Sequence, residues 1–212
     1  MREKELSTRV IFVRHGQTNF PIDRIYCDER EDPALNEDGK AQAKGAADLL
    51  KNMEIGAVYA SPALRTRMTA SAIAKHHGLG IEYNDALRER RFGIWEGLYF
   101  HEIEQNFTDE FQQWKQDQAG FAPSGGESAY DLYDRAALVL DRIVADNRGN
   151  TVVIVSHVGP IRVLLAESIG MPVQSFRSLR IDPASLSCVD YGSKQNNLLL
   201  LNYVEQSRLL GL

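Results

Sequence analysis

In Thr151-Val152-Val153-Ile154-Val155-Ser156-His157, five β-branched residues run unbroken into a serine and a histidine. A run this short and this apolar reads as a strand over Thr151 to Val155, with both of its faces covered, as the strands of a parallel sheet are. Gly159-Pro160 follows, and an apolar helix extends to Ile169. A similar run, Val10 to Val13, breaks into Arg14-His15-Gly16, so two strands end in a histidine.

Working outward from these strands, Ala43, Ala46, Ala47 and Leu50 recur at helical spacing within Gly39 to Asn52, with Asn36 or Asp38 available to cap the first turn. Ala57 to Ala60 reads as another buried strand, and Ser61-Pro62 can open a helix over Leu64 to His77. Trp95 to Trp114 is aromatic-rich and in part helical. A loop from Asp117 to Ser128 follows, and Ser128 with Asp131 resembles a capping pair for a helix over Ala129 to Asn147. Leu186 to Tyr191 and Leu198 to Tyr203 read as a hairpin at the sheet edge. Strand runs alternating with helices predict an α/β three-layer sandwich: a mostly parallel central sheet, helices on both faces and an antiparallel edge strand.

The 212 residues suffice for a sizeable core, and the expected organisation is one domain over 1–212 with a cap segment at about 98–123. A net charge of −5 argues against a protein that coats nucleic acid or an anionic membrane, so any anion site must be a local basic pocket. Cys27 and Cys188 are too few and too far apart for a disulfide framework or a zinc site, which points to a reducing compartment. Met1 to Arg9 lacks an apolar core, and Val152 to Val155 and Leu198 to Leu201 are far too short to span a bilayer. Cytoplasm is therefore the default location. The aliphatic strand Leu198 to Leu201 and the tail Leu209 to Leu212 could support a homodimer.

Ligands of open α/β sheets bind beyond the carboxyl ends of the strands. His15 and His157 can thus face one cleft, joined by Arg14 and by Arg65, which starts a helix that follows a strand. Guanidinium forks match phosphate oxygens, and the helix beginning near Gly159 offers N–H groups and a positive dipole end. Phosphate is the expected ligand. With an unperturbed pKa of about 6.5, imidazole keeps a lone pair at neutral pH, which suits His15 as nucleophile and leaves His157 as a donor to phosphoryl oxygens. Glu89, in Leu87-Arg88-Glu89 ahead of Phe92-Gly93 and Trp95-Glu96-Gly97, is the candidate proton donor, with burial raising its pKa and nearby arginines opposing that shift.

These blocks resemble the histidine phosphatase superfamily, also called the phosphoglycerate mutase-like family. The resemblance is carried by Arg14-His15-Gly16-Gln17-Thr18, by Leu35-Asn36 with Gly39 and Gln42-Ala43, and by Ser61-Pro62-Ala63-Leu64-Arg65 with Thr69-Ala70. Leu87-Arg88-Glu89 with its following turns, Gly126-Glu127-Ser128, and Ser156-His157 with Gly159 and Ile161-Arg162 complete it. It implies a metal-independent phosphoric monoester hydrolase, without cofactor, that forms phosphohistidine on His15 and uses Glu89 as acid and then base. It also implies phosphate binding by Arg14, Arg65 and His157, with Gln17, Thr18 and the Val158 backbone N–H beside them. Asn19 and Arg24 stand near the family's substrate-binding positions. Val158 replaces a frequent glycine, and Gln17 stands where many members carry Glu.

Plainer readings cover the remaining features. His76-His77 suits a helix C-terminus, His101 an exposed helix position, and Ser128 a cap. Gly78 with Gly80 is too little for a nucleotide loop. Trp95, Tyr99, Phe107, Phe111 and Trp114 read mostly as core, with part available to roof the cleft. The leading expectation is hydrolysis of a small phosphorylated metabolite. The rivals are a phosphoglycerate mutase-type transfer, for which Leu98 to Pro123 is a short shield against water, and a non-catalytic module that binds phosphorylated ligands.

Overall fold

The computed structural model describes residues 6–25 and 31–204; Cys27 and the tail Leu209 to Leu212 lie outside the described residues. The elements run β1 (Thr8–Arg14), α1 (Glu37–Leu50), β2 (Ala57–Ala60), α2 (Leu64–His77), β3 (Ile81–Tyr83), α3 (Phe100–Asn106) and α4 (Thr108–Gln116). Then come α5 (Ala129–Asp146), β4 (Thr151–Ser156), α6 (Val158–Ser168), β5 (Leu186–Tyr191) and β6 (Asn196–Tyr203). The strand order is β3-β2-β4-β1-β5-β6. β1, β2, β3 and β4 pair in parallel, whereas β5 is antiparallel to both β1 and β6. The mostly parallel α/β sheet with a hairpin at its edge therefore agrees with the sequence reading, the reversed strand being β5.

The two central strands show why the apolar runs have no polar alternation. Val10 and Phe12 of β1, with Val152 and Ile154 of β4, pack against Leu132, Ala136 and Leu140 of α5 and Ile161 and Leu164 of α6. The intervening Ile11, Val13, Val153 and Val155 face Ala46, Ala47 and Leu50 of α1 and Ala70 and Ile73 of α2. Both faces are dry, so each position must be apolar. Burying such a side chain contributes about 1.5–3 kcal/mol relative to exposing it.

Several local signals act as read. The Asn36 side chain accepts from Gly39 N at 2.8 Å. Ser128 Oγ accepts from Asp131 N at 3.0 Å while Asp131 takes the Ser128 N–H at 2.8 Å, which closes a capping box on α5. His76 and His77 lie in the last turn of α2, ended by Gly78 in the left-handed region (φ 64°). β3 is the strand that pattern reading missed, since three residues, only the first half-buried, carry no periodicity. α6 begins at Val158, with His157 as its N-cap residue.

Trp95, 1% exposed, centres a separate apolar cluster with Ile25, Ile103 and Phe111, packed by Phe100, Trp114 and Phe121. Apart from Tyr99, whose ring lies by Arg24 and His101, the aromatic series thus forms the core of the α3–α4 pair, and His101 is exposed. Among the described residues no helix is long and apolar enough to cross a membrane.

Candidate active site

Parallel register brings the two histidines together. Arg14 of β1 lies opposite Ser156 of β4, so His15 and His157 each come next at the carboxyl end of neighbouring strands. The His15 N–H donates to Ser156 O at 3.0 Å, and the ring centroids are 5.3 Å apart with planes at 61°. β2 ends alongside: Ser61 N donates to Val155 O at 3.0 Å, and α2 then places Arg65. Three adjacent strand ends therefore deliver Arg14-His15, His157 and Ser61 to one point.

The contacts of each ring define its protons. His15 Nδ1 lies 2.8 Å from Gly16 O. A carbonyl can only accept, so Nδ1 carries the hydrogen and Nε2 keeps its lone pair. His157 is fully buried, and its Nε2 lies 2.8 Å from Ser61 Oγ. Ser61 Oγ already accepts from Ala63 N and has no other acceptor for its own proton among the described residues. The hydroxyl therefore donates to Nε2, which leaves the hydrogen on Nδ1, a buried atom with no hydrogen-bond partner among the described residues. A buried orphan donor calls for an acceptor.

Burial, reinforced by the charges of Arg65 and Arg14, holds the His15 imidazole well below its ordinary value near 6.5. His157 is lowered in the same way, by burial and then by Arg65. Both rings are neutral at pH 7. Arg14 Nη1 donates to Ile181 O at 2.8 Å, while its Nε is buried without a hydrogen-bond partner among the described residues. Arg65 is 1% exposed and lies 3.8 Å from Asp32 Oδ1. Asp32 also accepts from Leu64 N at 2.7 Å, supplying the cap that Ala63 cannot and easing the arginine's awkward place at a helix start.

Glu89 approaches from the other side. Its Oε1 accepts from Arg90 N at 2.8 Å and from Gly159 N at 3.1 Å. A Cβ on Gly159 would run into that oxygen, so a side chain there would push the Glu89 carboxyl out of this position. The Gly159 N–H is thus committed to the carboxylate, leaving Val158 as the first-turn residue of α6 whose N–H has no intrahelical acceptor. Burial raises the Glu89 pKa above its ordinary value, against the hydrogen bonds from Arg90 and Gly159 and the charges of Arg65 and Arg14.

The loop after β1 is more loosely tied to the histidines. A Cβ on Gly16 would run into Gly39 O, so loop and α1 meet backbone to backbone. Gln17 is exposed and donates its N–H to Gln42 Oε1 at 2.9 Å, and Thr18 bridges to Leu35. Asn19, also exposed, accepts from Asn36 Nδ2 at 3.2 Å. The Arg24 guanidinium is occupied by Gly97 O at 2.8 Å and Glu31 at 2.9 Å.

Sequence reasoning missed the supports. Ser61 was legible by analogy, as another polar residue at a strand end. Thr69, one turn beyond Arg65, accepts from Gly16 N at 3.1 Å and donates to Arg65 O at 2.8 Å. Arg135 donates to Ala86 O, Arg88 O and Glu89 O at 2.6, 3.0 and 2.8 Å, and its Nε meets buried Glu127 at 2.8 Å. This clamp fixes the strip that carries Glu89. A cavity of about 780 Å³ opens beside Glu89, lined by Asp85, Ala86, Arg88, Arg91, Glu96 and Arg135. Among the described residues no group of three or more His, Cys, Asp or Glu is placed to hold a metal ion.

The profile of the histidine phosphatase superfamily (branch 1) matches residues 10–204. Phosphoserine phosphatase 1 of Hydrogenobacter thermophilus is 31% identical over 195 residues, covering 92% of each chain. The adenosylcobalamin/alpha-ribazole phosphatase of Escherichia coli is 28% identical over 203 residues, covering 96% of this chain and 98% of that one. The Mycobacterium tuberculosis bifunctional protein Rv2228c is 37% identical over 197 residues and longer, so that this chain spans 54% of it. Among solved structures, Bacillus stearothermophilus YhfR superposes with a TM-score of 0.85 at 27% identity, over 93% of this chain and 98% of that one.

Proposed function

The chain belongs to the histidine phosphatase superfamily, and on that premise we propose that it hydrolyses a small phosphomonoester through a phosphohistidine on His15. One observation carries the reading: a neutral imidazole with Nε2 unprotonated stands 5.3 Å, centroid to centroid, from a second imidazole whose buried N–H has no protein acceptor among the described residues. A tetrahedral anion between them satisfies that donor, with Arg14 and Arg65 neutralising its charge.

In the first step His15 Nε2 attacks phosphorus, the N–P bond forms, and the ester P–O bond breaks. Glu89 gives its proton to the departing oxygen, which leaves as an alcohol. In the second step the Glu89 carboxylate takes a proton from water, whose oxygen attacks phosphorus as the N–P bond breaks. Inorganic phosphate leaves and Glu89 is again protonated. His157 Nδ1–H, the guanidinium groups of Arg14 and Arg65, and the Val158 N–H stabilise the phosphoryl oxygens in both steps. Gln17 and Thr18 line the phosphate side, Asn19 and Arg24 border the space for the leaving group, and the α3–α4 pair roofs it. No cofactor takes part. Relatives named as phosphatases support hydrolysis over the mutase and binding-module alternatives. A buried free thiol at Cys188, pushed up to about 11 by burial, fits a reducing cytoplasm.

Phosphate release from p-nitrophenyl phosphate by the wild type and by His15→Asn tests this. The account predicts turnover in the first and essentially none in a folded second; equal turnover in the two would overturn it.

A further inference from the structure

We propose that the substrate carries a second oxyanion, a carboxylate or a second phosphoryl group, and that Arg162 and Arg177 bind it at the mouth of the cleft. This rests on the phosphatase reading above. Arg162 lies one helical turn beyond Val158 on α6 and bonds the stretch 179–181, whose Ile181 carbonyl also holds Arg14 of the phosphate site. The Arg162 Nε donates to Leu179 O at 2.7 Å, which fixes the side chain, while its two Nη groups have no acceptor among the described residues.

Arg177 belongs to the short helical segment Val173–Ser178, just ahead of the carbonyl that holds Arg162. Its guanidinium lies over the Trp114 ring, 5.5 Å from the centroid, and it has no ion pair among the described residues. Two guanidinium groups are thereby fixed on one stretch of chain, between α6 and the aromatic roof. Burial and the Arg177 charge push the Arg162 pKa down, which registers that these like charges oppose each other.

Apart from Arg14 and Arg65 at the phosphate site itself, the other arginines around this cleft are matched. Arg24 pairs with Glu31, Arg88 with Asp85, and Arg91 and Arg135 with Glu127. Arg90 is held by the carbonyls of Glu127 and Phe121. In a chain of net charge −5, two guanidinium groups that pair with no carboxylate among the described residues form a local anion trap. Their planar forks suit carboxylate and phosphate alike.

The test compares kcat/KM for propyl phosphate, its terminal carboxylate analogue and its terminal phosphate analogue, with phosphohistidine formation followed in parallel. Wild-type preference for one acidic ester over the neutral one by about tenfold or more is expected, and which ester wins identifies the oxyanion. In Arg162→Gln and Arg177→Gln that preference should shrink about tenfold to a hundredfold through KM, the loss typical of a charge-assisted hydrogen bond, with Arg177→Lys recovering part of it. Preference for the neutral ester, or equal losses on all three in both variants, would overturn the subsite while phosphohistidine formation leaves the phosphatase reading standing. Absence of both turnover and phosphohistidine would overturn the two together.

Discussion

His15 and Glu89 must start the reaction in opposite protonation states, and burial moves each the right way. It lowers the imidazole pKa and raises that of the carboxyl, because a low-dielectric site disfavours either charged form. Burial therefore favours the lone pair on the imidazole and the proton on the carboxyl. With Glu89 needed as the acid, kcat/KM on an alkyl phosphate should fall as pH rises through its raised pKa, and this limb should vanish from the pH profile of Glu89→Gln. That variant should lose about 10²–10⁴ in rate on the alkyl ester, the usual worth of a general acid, and far less on p-nitrophenyl phosphate, whose leaving group needs no proton. Equal losses on both esters, read from initial rates, would remove Glu89 from the acid role. The histidines and Arg14 were legible because each follows an apolar run. The proton on His157 Nδ1 was not, since it depends on Ser61, 96 residues away in sequence.

Among the elements, β1, β4 and β2 could be read because strands covered on both faces must be continuously apolar, and α5 because Ser128 and Asp131 mark its start. The clamp on the acid strip could not. Arg135 and Glu127 look like surface charges, and the carbonyls that Arg135 holds lie 46 to 49 residues upstream. Charged side chains choose partners through tertiary contact, which periodicity does not encode. Replacing Arg135 with Met should leave Glu127 buried with a weakened partner set and cost about 1–3 kcal/mol, as for other buried groups stripped of a hydrogen-bonding partner. It should also reduce kcat most on esters with poor leaving groups, since Glu89 loses its anchor. Urea unfolding together with a leaving-group series checks both. A stability loss with an unaltered leaving-group dependence would make Arg135 structural only.

At the scale of the whole molecule, the phosphate site is a point of stored electrostatic cost. Two buried imidazoles stay neutral in the native state but take up protons in the unfolded chain below about pH 6.5. Native pKa values below the unfolded ones mean that this stability is present above about pH 6.5 and is lost as pH falls toward the native values. The urea midpoint should therefore drop between pH 7 and about pH 5.5, and the drop should be smaller in a His15→Asn, His157→Asn double variant. A double variant as pH-sensitive as the wild type would show that other groups control acid stability. The central claim, that His15 itself carries the phosphoryl group, is tested most directly by rapid quenching of wild-type enzyme during turnover, followed by peptide mapping. The prediction is one acid-labile, base-stable phosphoryl group on the peptide containing His15, present in His157→Asn at a lower level and absent in His15→Asn. A phosphoryl group mapped to any other residue, or turnover with none formed, would contradict it.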